Sequence, residues 1–151
     1  VAPASKLPLY VVGSGFENFG KKDKLKNVIF IGSVNDLSPW YNSASAVIAP
    51  IFDGSGMKTK VAEALKFGKV VIGTEEAFAG YNLPVHKGLI KCKTPEDFIE
   101  AISTVKSTPP SKFDSSLRKL YELYYSYEAG LNRLRKIFSE IECSNKDNKA
   151  L

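Results

Sequence analysis

Short apolar runs separated by amphipathic stretches set the order of elements along this chain. Leu9-Tyr10-Val11-Val12, Val28-Ile29-Phe30-Ile31, Ala46-Val47-Ile48-Ala49-Pro50-Ile51, Val70-Val71-Ile72 and Leu89-Ile90 are short and rich in β-branched residues, which predicts strands near residues 8–12, 27–32, 46–51, 69–73 and 88–92. The third and fourth runs are apolar throughout rather than alternating, as in parallel strands buried on both faces. Between them Met57, Val61, Ala64 and Leu65 recur at helical spacing while Lys58, Lys60, Glu63 and Lys66 fall elsewhere. That is one amphipathic helix, closed by Gly68. A short helix over 39–44 is expected, with Ser38 as N-cap and Pro39 in the first helical position. Thr94-Pro95-Glu96-Asp97 repeats the start signal with Asp97 in the capping-box position, and Phe98, Ile99, Ile102 and Val105 supply the next apolar face.

Strand and helix therefore alternate, and the class is α/β: a Rossmann-like, three-layer α/β/α arrangement with a parallel sheet covered on both sides. Thr108-Pro109-Pro110-Ser111 reads as a linker, and Ser115 to Glu142 as one long C-terminal helical stretch bent at Gly130. The domain is expected to span 1–143, with 144–151 as a flexible tail. No internal repeat is visible.

Length and composition narrow the class without naming a chemistry. A chain of 151 residues buries about 68–70% of its unfolded surface, enough for one core without metal or disulfide staples. Its 44% hydrophobic content falls in runs too short to cross a membrane, and the first residues lack a signal-peptide pattern, so a cytoplasmic location is expected. Cys92 and Cys143 have no metal-ligand or redox spacing and read as two reduced thiols. The net charge of +5 comes from lysines around Lys21 to Lys26, Lys58 to Lys69 and the C-terminal third. Tyr121, Tyr124, Tyr125 and Tyr127 interleave with charges at helical spacing, which speaks for packing, and no nucleic-acid motif accompanies them. A positive domain suits an anionic small ligand, and also the acidic inner face of a membrane as a peripheral docking surface.

The candidate chemistry lies in Phe52 to Thr74. A buried strand ends, Gly54-Ser55-Gly56 follows, and a helix begins. Glycines let the backbone approach a ligand, and the first free N–H groups and positive end of the helix favour an anion such as phosphate. Glu63, within that helix, is an acceptor-only group able to hold two donors at once. The bland alternative for Glu63 is a surface pair with Lys60; for the loop it is an ordinary turn and helix start. Lys58 is the best placed cation for a diphosphate and Lys60 has a less certain direction, against the alternative that both are solvated. Asp53 before Gly54 reads as a turn former.

Taken in order, Leu9 to Gly15, Asn27 to Val34, Trp40-Tyr41-Asn42-Ser43-Ala44 and the Gly-Ser-Gly helix segment resemble the donor-binding, C-terminal domain of GT-B glycosyltransferases. The resemblance is to the large retaining group, "glycosyl transferases group 1", that includes sucrose synthase and glycogen synthase, and it covers roughly residues 7–105. It implies that Gly54, Ser55, Gly56, Met57, Lys58 and Thr59 meet the phosphates and sugar hydroxyls of a nucleoside-diphosphate sugar while Glu63 takes the ribose hydroxyls. It also implies that Gly13, Ser14 and Gly15 line the cleft from the other side and that Gly32, Ser33 and Val34 lie beside the base. Tight strand-to-helix turns remain the alternative for Gly13 to Gly15.

The resemblance further implies transfer to a hydroxyl acceptor with retention of configuration, in polysaccharide or glycoconjugate biosynthesis, by a front-face mechanism in which a leaving phosphate oxygen helps deprotonate the acceptor. Two departures bear on this. Eight positions before Glu63, where the family often has a first glutamate, stands Ser55, so no catalytic residue is assigned. The family's upstream Arg and Lys have no match in Val1 to Lys6. The expectation is therefore a fragment whose N-terminal acceptor domain would precede Val1, inactive alone, with a C-terminal stretch exposing apolar surface and able to self-associate.

With no Asp-x-Asp pair in the chain, neither a metal nor another cofactor is expected. His86, the only histidine, reads as a loop residue rather than a general base. A nicotinamide site would need a third glycine where Asn18 stands. The stronger rival is a noncatalytic nucleotide-binding or assembly domain derived from the same fold.

Overall fold

The computed structural model describes residues 2–5, 7–15, 25–106 and 113–147. In chain order the elements are α1 (Ala2–Ser5), β1 (Leu9–Val12), β2 (Val28–Gly32), α2 (Ser38–Ser43), β3 (Ala46–Ala49), α3 (Thr59–Lys66), β4 (Val70–Gly73), a 3-10 turn (Glu76–Phe78), β5 (Leu89–Lys91), α4 (Pro95–Lys106), α5 (Ser115–Tyr124) and α6 (Tyr127–Asp147). The five strands stand where the apolar runs place them. β3 stops at Ala49 because Pro50 has no N–H to give a ladder.

Among the described residues every strand pairing is parallel, in two hydrogen-bonded groups, β1-β2 and β3-β4-β5. Ala46 stands opposite Val70 and Ile48 opposite Ile72, while Ile72 stands opposite Ile90. Successive residues of β4 serve opposite faces. Val71 packs with Val61, Ala64 and Leu65 of α3 and Leu117 of α5, whereas Ile72 packs with Phe98, Ala101 and Ile102 of α4. Two helical layers around a central parallel strand give the α/β class its physical content. Leu65 and Leu117 are fully buried, and each such side chain contributes about 1.5–3 kcal/mol by leaving water.

The helix ends follow local rules, with three corrections. Gly68, at φ 59°, closes α3: its N–H donates to Leu65 O and that of Lys69 to Ala64 O, the paired bonds of a Schellman end. Lys69 then runs into the core with its ammonium on Asn42 O at 2.9 Å, and burial lowers its pKa. At α4 the capping box forms as predicted, Asp97 Oδ2 taking the Thr94 N–H and Thr94 Oγ1 the Asp97 N–H.

At α2, by contrast, Ser38 is already helical and makes no capping bond. Asp36 Oδ1 accepts the Ser38 N–H at 2.8 Å, because an aspartate two residues upstream reaches that amide as an Asx turn. Met57 lies outside α3, which starts at Thr59. The long C-terminal stretch breaks at Tyr125 and Ser126 rather than bending at Gly130, since Ser126 Oγ accepts the Ala129 N–H and so starts α6 as a new helix.

α6 shows solvent an apolar stripe of Tyr127, Leu134, Ile137, Phe138 and Ile141. No helix among the described residues is long and apolar enough to cross a membrane. The 108–111 linker, part of the Lys21 to Lys26 cluster, the last tail residues and the Cys143 side chain lie outside the described residues; Cys92 is a buried free thiol whose pKa burial raises.

Candidate functional site

Three loops carry the predicted site residues, and each follows the carboxyl end of a parallel strand, where α/β folds receive ligands. β1 runs into Gly13-Ser14-Gly15 and β2 ends in Gly32-Ser33-Val34. The structure joins these two, for the Gly13 N–H donates to Gly32 O at 2.8 Å. The third loop, Ile51 to Lys58, leads from β3 into α3.

That third loop is shaped by its own residues. Gly54 and Gly56 have φ of 127° and 75°, values that side-chain-bearing residues avoid. Asp53 Oδ1 accepts the Gly54 N–H at 2.7 Å, the turn role expected of it. Lys58 folds back over the loop, its ammonium donating to Gly54 O at 2.7 Å, Gly56 O at 2.8 Å and Glu76 Oε1 at 2.9 Å. An ammonium has three N–H donors, so Lys58, the cation singled out for a diphosphate, is engaged within the protein. The backbone N–H groups of Ser55, Gly56 and Met57 meet no acceptor among the described residues, and all three residues are exposed. They precede the positive end of α3, and together they can receive an anion.

Glu63 stands on the second turn of α3, half-buried. The alternative pairing with Lys60 does not form; the Tyr41 hydroxyl of α2 donates to Glu63 Oε2 at 2.6 Å. The Tyr41 ring stacks flat on Phe67, with centroids 4.9 Å apart, which aims the hydroxyl. Burial, then the bond to Glu63 and its charge, push the Tyr41 pKa well above the ordinary tyrosine value. Glu63 thus keeps acceptor capacity beyond the one bond it receives.

Tyr81 completes the support. Its hydroxyl donates to Lys58 O at 2.8 Å and accepts the Ala62 N–H at 3.1 Å, tying the first turn of a helix that lacks a side-chain cap. Beside it opens a largely apolar groove of about 400 Å³ lined in part by Met57, Glu63, Tyr81, Tyr121 and Tyr125.

Sequence reasoning missed Tyr41, Glu76 and Tyr81. Only the aromatic and acidic character of these residues near apolar runs was visible, and nothing local ties them to α3. No triad forms at His86. Its Nε2 meets Ser116 Oγ at 2.8 Å, but Asp114 accepts from Ser116 rather than from the imidazole, and both serve the start of α5. Among the described residues no three His, Cys, Asp or Glu side chains converge as a metal site.

No curated protein and no solved structure matches the chain. The family model for glycosyl transferases group 1 matches residues 1–107, slightly more than the stretch whose motifs carry the resemblance. With a strand-end glycine loop, an acid on the helix behind it and a family match over most of its length, the chain belongs to the glycosyl transferases group 1.

Proposed function

We propose that this chain binds the donor of a glycosyl transfer, a nucleoside-diphosphate sugar, on the Gly54 to Thr59 loop, and that the glycosyl group passes to a hydroxyl acceptor held by a second domain. The observation that carries this reading is the run of exposed backbone N–H groups at Ser55, Gly56 and Met57 in front of α3, without an acceptor among the described residues, with Glu63 on the second turn of that helix. The amides and the helix end take the diphosphate, Thr59 lies next to them for a sugar hydroxyl, and Glu63 takes the ribose hydroxyls. Gly13 to Gly15 face the donor from the end of β1, and Gly32 to Val34 meet the base through backbone groups.

Transfer proceeds with retention, in polysaccharide or glycoconjugate assembly, without a metal or cofactor. Positioning and stabilisation of phosphate charge supply the rate. No catalytic side chain is assigned on this chain, because Ser55 stands where a first carboxylate would be and the acceptor domain is expected to complete the reacting centre. The apolar stripe of α6 is the surface assigned to packing against that domain, or against a second copy when the domain is absent. The reaction takes place in the cytoplasm, peripheral to the inner membrane face.

The test is calorimetric titration with UDP, GDP and ADP, with and without magnesium. Selective, metal-independent binding of one of them is expected, and Glu63→Ala is expected to weaken it by about 1.5–3 kcal/mol, the range for a hydrogen bond to a charged group. Unchanged affinity in Glu63→Ala would remove the ribose role, and no binding of any of the three would remove the donor reading.

A further inference from the structure

Lys58 is held by three acceptors that differ in kind. Gly54 O and Gly56 O belong to the loop itself, so losing them means unfolding the loop. Glu76 Oε1 comes from a separate element, the 3-10 turn after β4, and its side chain is 35% exposed against 11% for Lys58. Of the three partners, Glu76 is the one free to leave. Among the described residues it is also the only anion placed on this loop's cation, beside the amides that precede α3.

Resting on the donor reading above, we propose that Glu76 is the resting counter-ion of the donor loop, a positioning residue that holds Lys58 until a diphosphate displaces it. In the structure the carboxylate neutralises the ammonium and ties the 3-10 turn to the loop. An entering diphosphate brings more charge and more acceptor oxygens than one carboxylate, takes the third Lys58 N–H, and drives Glu76 into solvent, where it is already partly placed. A ligand without a comparable charge cannot make that exchange. Glu76 thereby sets both the affinity of the loop and its preference for a diphosphate over uncharged parts of the same donor.

The experiment compares the wild-type chain, Glu76→Gln, Lys58→Met and the double variant by calorimetry. The probes are inorganic pyrophosphate, the best-binding nucleoside diphosphate and the corresponding nucleoside, after circular dichroism has shown that each variant keeps the fold. Glu76→Gln is expected to bind pyrophosphate and the nucleoside diphosphate about three- to tenfold more tightly, the effect of removing one partly exposed competing charge. Nucleoside affinity should stay the same.

In the Lys58→Met background the same change should lose most of that gain, which a purely structural role for Glu76 would not produce. Equal or weaker diphosphate binding by Glu76→Gln, or a gain that survives loss of Lys58, overturns the proposal. A pyrophosphate gain with no preference for any nucleotide would leave the counter-ion role standing and defeat the donor reading instead. Absence of pyrophosphate binding in every variant defeats the counter-ion role.

Discussion

Tyr41→Phe removes one oxygen atom and tests the contact that sets the orientation of Glu63. The hydroxyl donates to a carboxylate at 2.6 Å in a half-buried setting, behind a ring stacked on Phe67 that phenylalanine would preserve. A hydrogen bond to a charged group is worth about 1.5–3 kcal/mol. Water can reach a half-buried carboxylate once the hydroxyl is gone, so the expected loss lies at or just below the bottom of that range, about 1–1.5 kcal/mol near pH 7. For a domain of this size that lowers Tm by roughly 2–5 °C.

The sign of the pH dependence follows from the raised Tyr41 pKa. In the unfolded chain tyrosine ionises near pH 10, about where a model phenol does, while in the fold it stays protonated at that pH. The stabilisation is therefore complete below about pH 10 and is eroded as pH rises above it, at about 1.4 kcal/mol per pH unit, until the folded group ionises too. The gap between wild type and Tyr41→Phe should narrow between pH 10 and 11 and approach zero. Urea unfolding of both proteins at pH 7, 9, 10 and 11 measures this, and every other titrating group cancels in the difference. A gap that is absent at pH 7, or that stays constant through pH 11, would refute the reasoning.

Gly68→Ala should destabilise by about 1–3 kcal/mol, combining the left-handed backbone with a new Cβ 2.8 Å from Asp114 O and from the Phe113 ring, as read by thermal unfolding. Asp114→Ala should cost about 1 kcal/mol through loss of the α5 N-cap. Burial works against ionisation of Asp114, but the bonds from Ser116 and Leu117 outweigh it and hold its pKa down. This stabilisation is present above the unfolded value near pH 4 and disappears as pH falls through the folded one, so acid titration should close the gap. Phe138→Glu, on the exposed stripe of α6, should change stability by no more than about 0.5 kcal/mol, while sedimentation should show less self-association.

The sequence by itself determined whatever depends on neighbours along the chain. Hydrophobic period set the five strands, the Thr94 and Asp97 capping box set the start of α4, and Gly68 set the end of α3, since each reflects dihedral preferences and hydrogen bonds within a few residues. The glycine loop before α3 and the acid within that helix were legible for the same reason. Where local signals competed, reading failed: Asp36 reached the Ser38 amide first, and Ser126 offered a new helix start before Gly130 had any effect.

Only the tertiary structure decided what the site residues touch. Tyr41 lies 22 positions from Glu63, Glu76 lies 18 from Lys58 and Tyr81 lies 23 from the Lys58 carbonyl to which its hydroxyl donates. Such pairs depend on which helix packs beside α3 and on how the chain returns after β4. Spacing along the sequence carries no information about either, so a lysine that looks like a free cation becomes the staple of its own loop, and a glutamate whose only local candidate partner is Lys60 is held by a tyrosine on another helix.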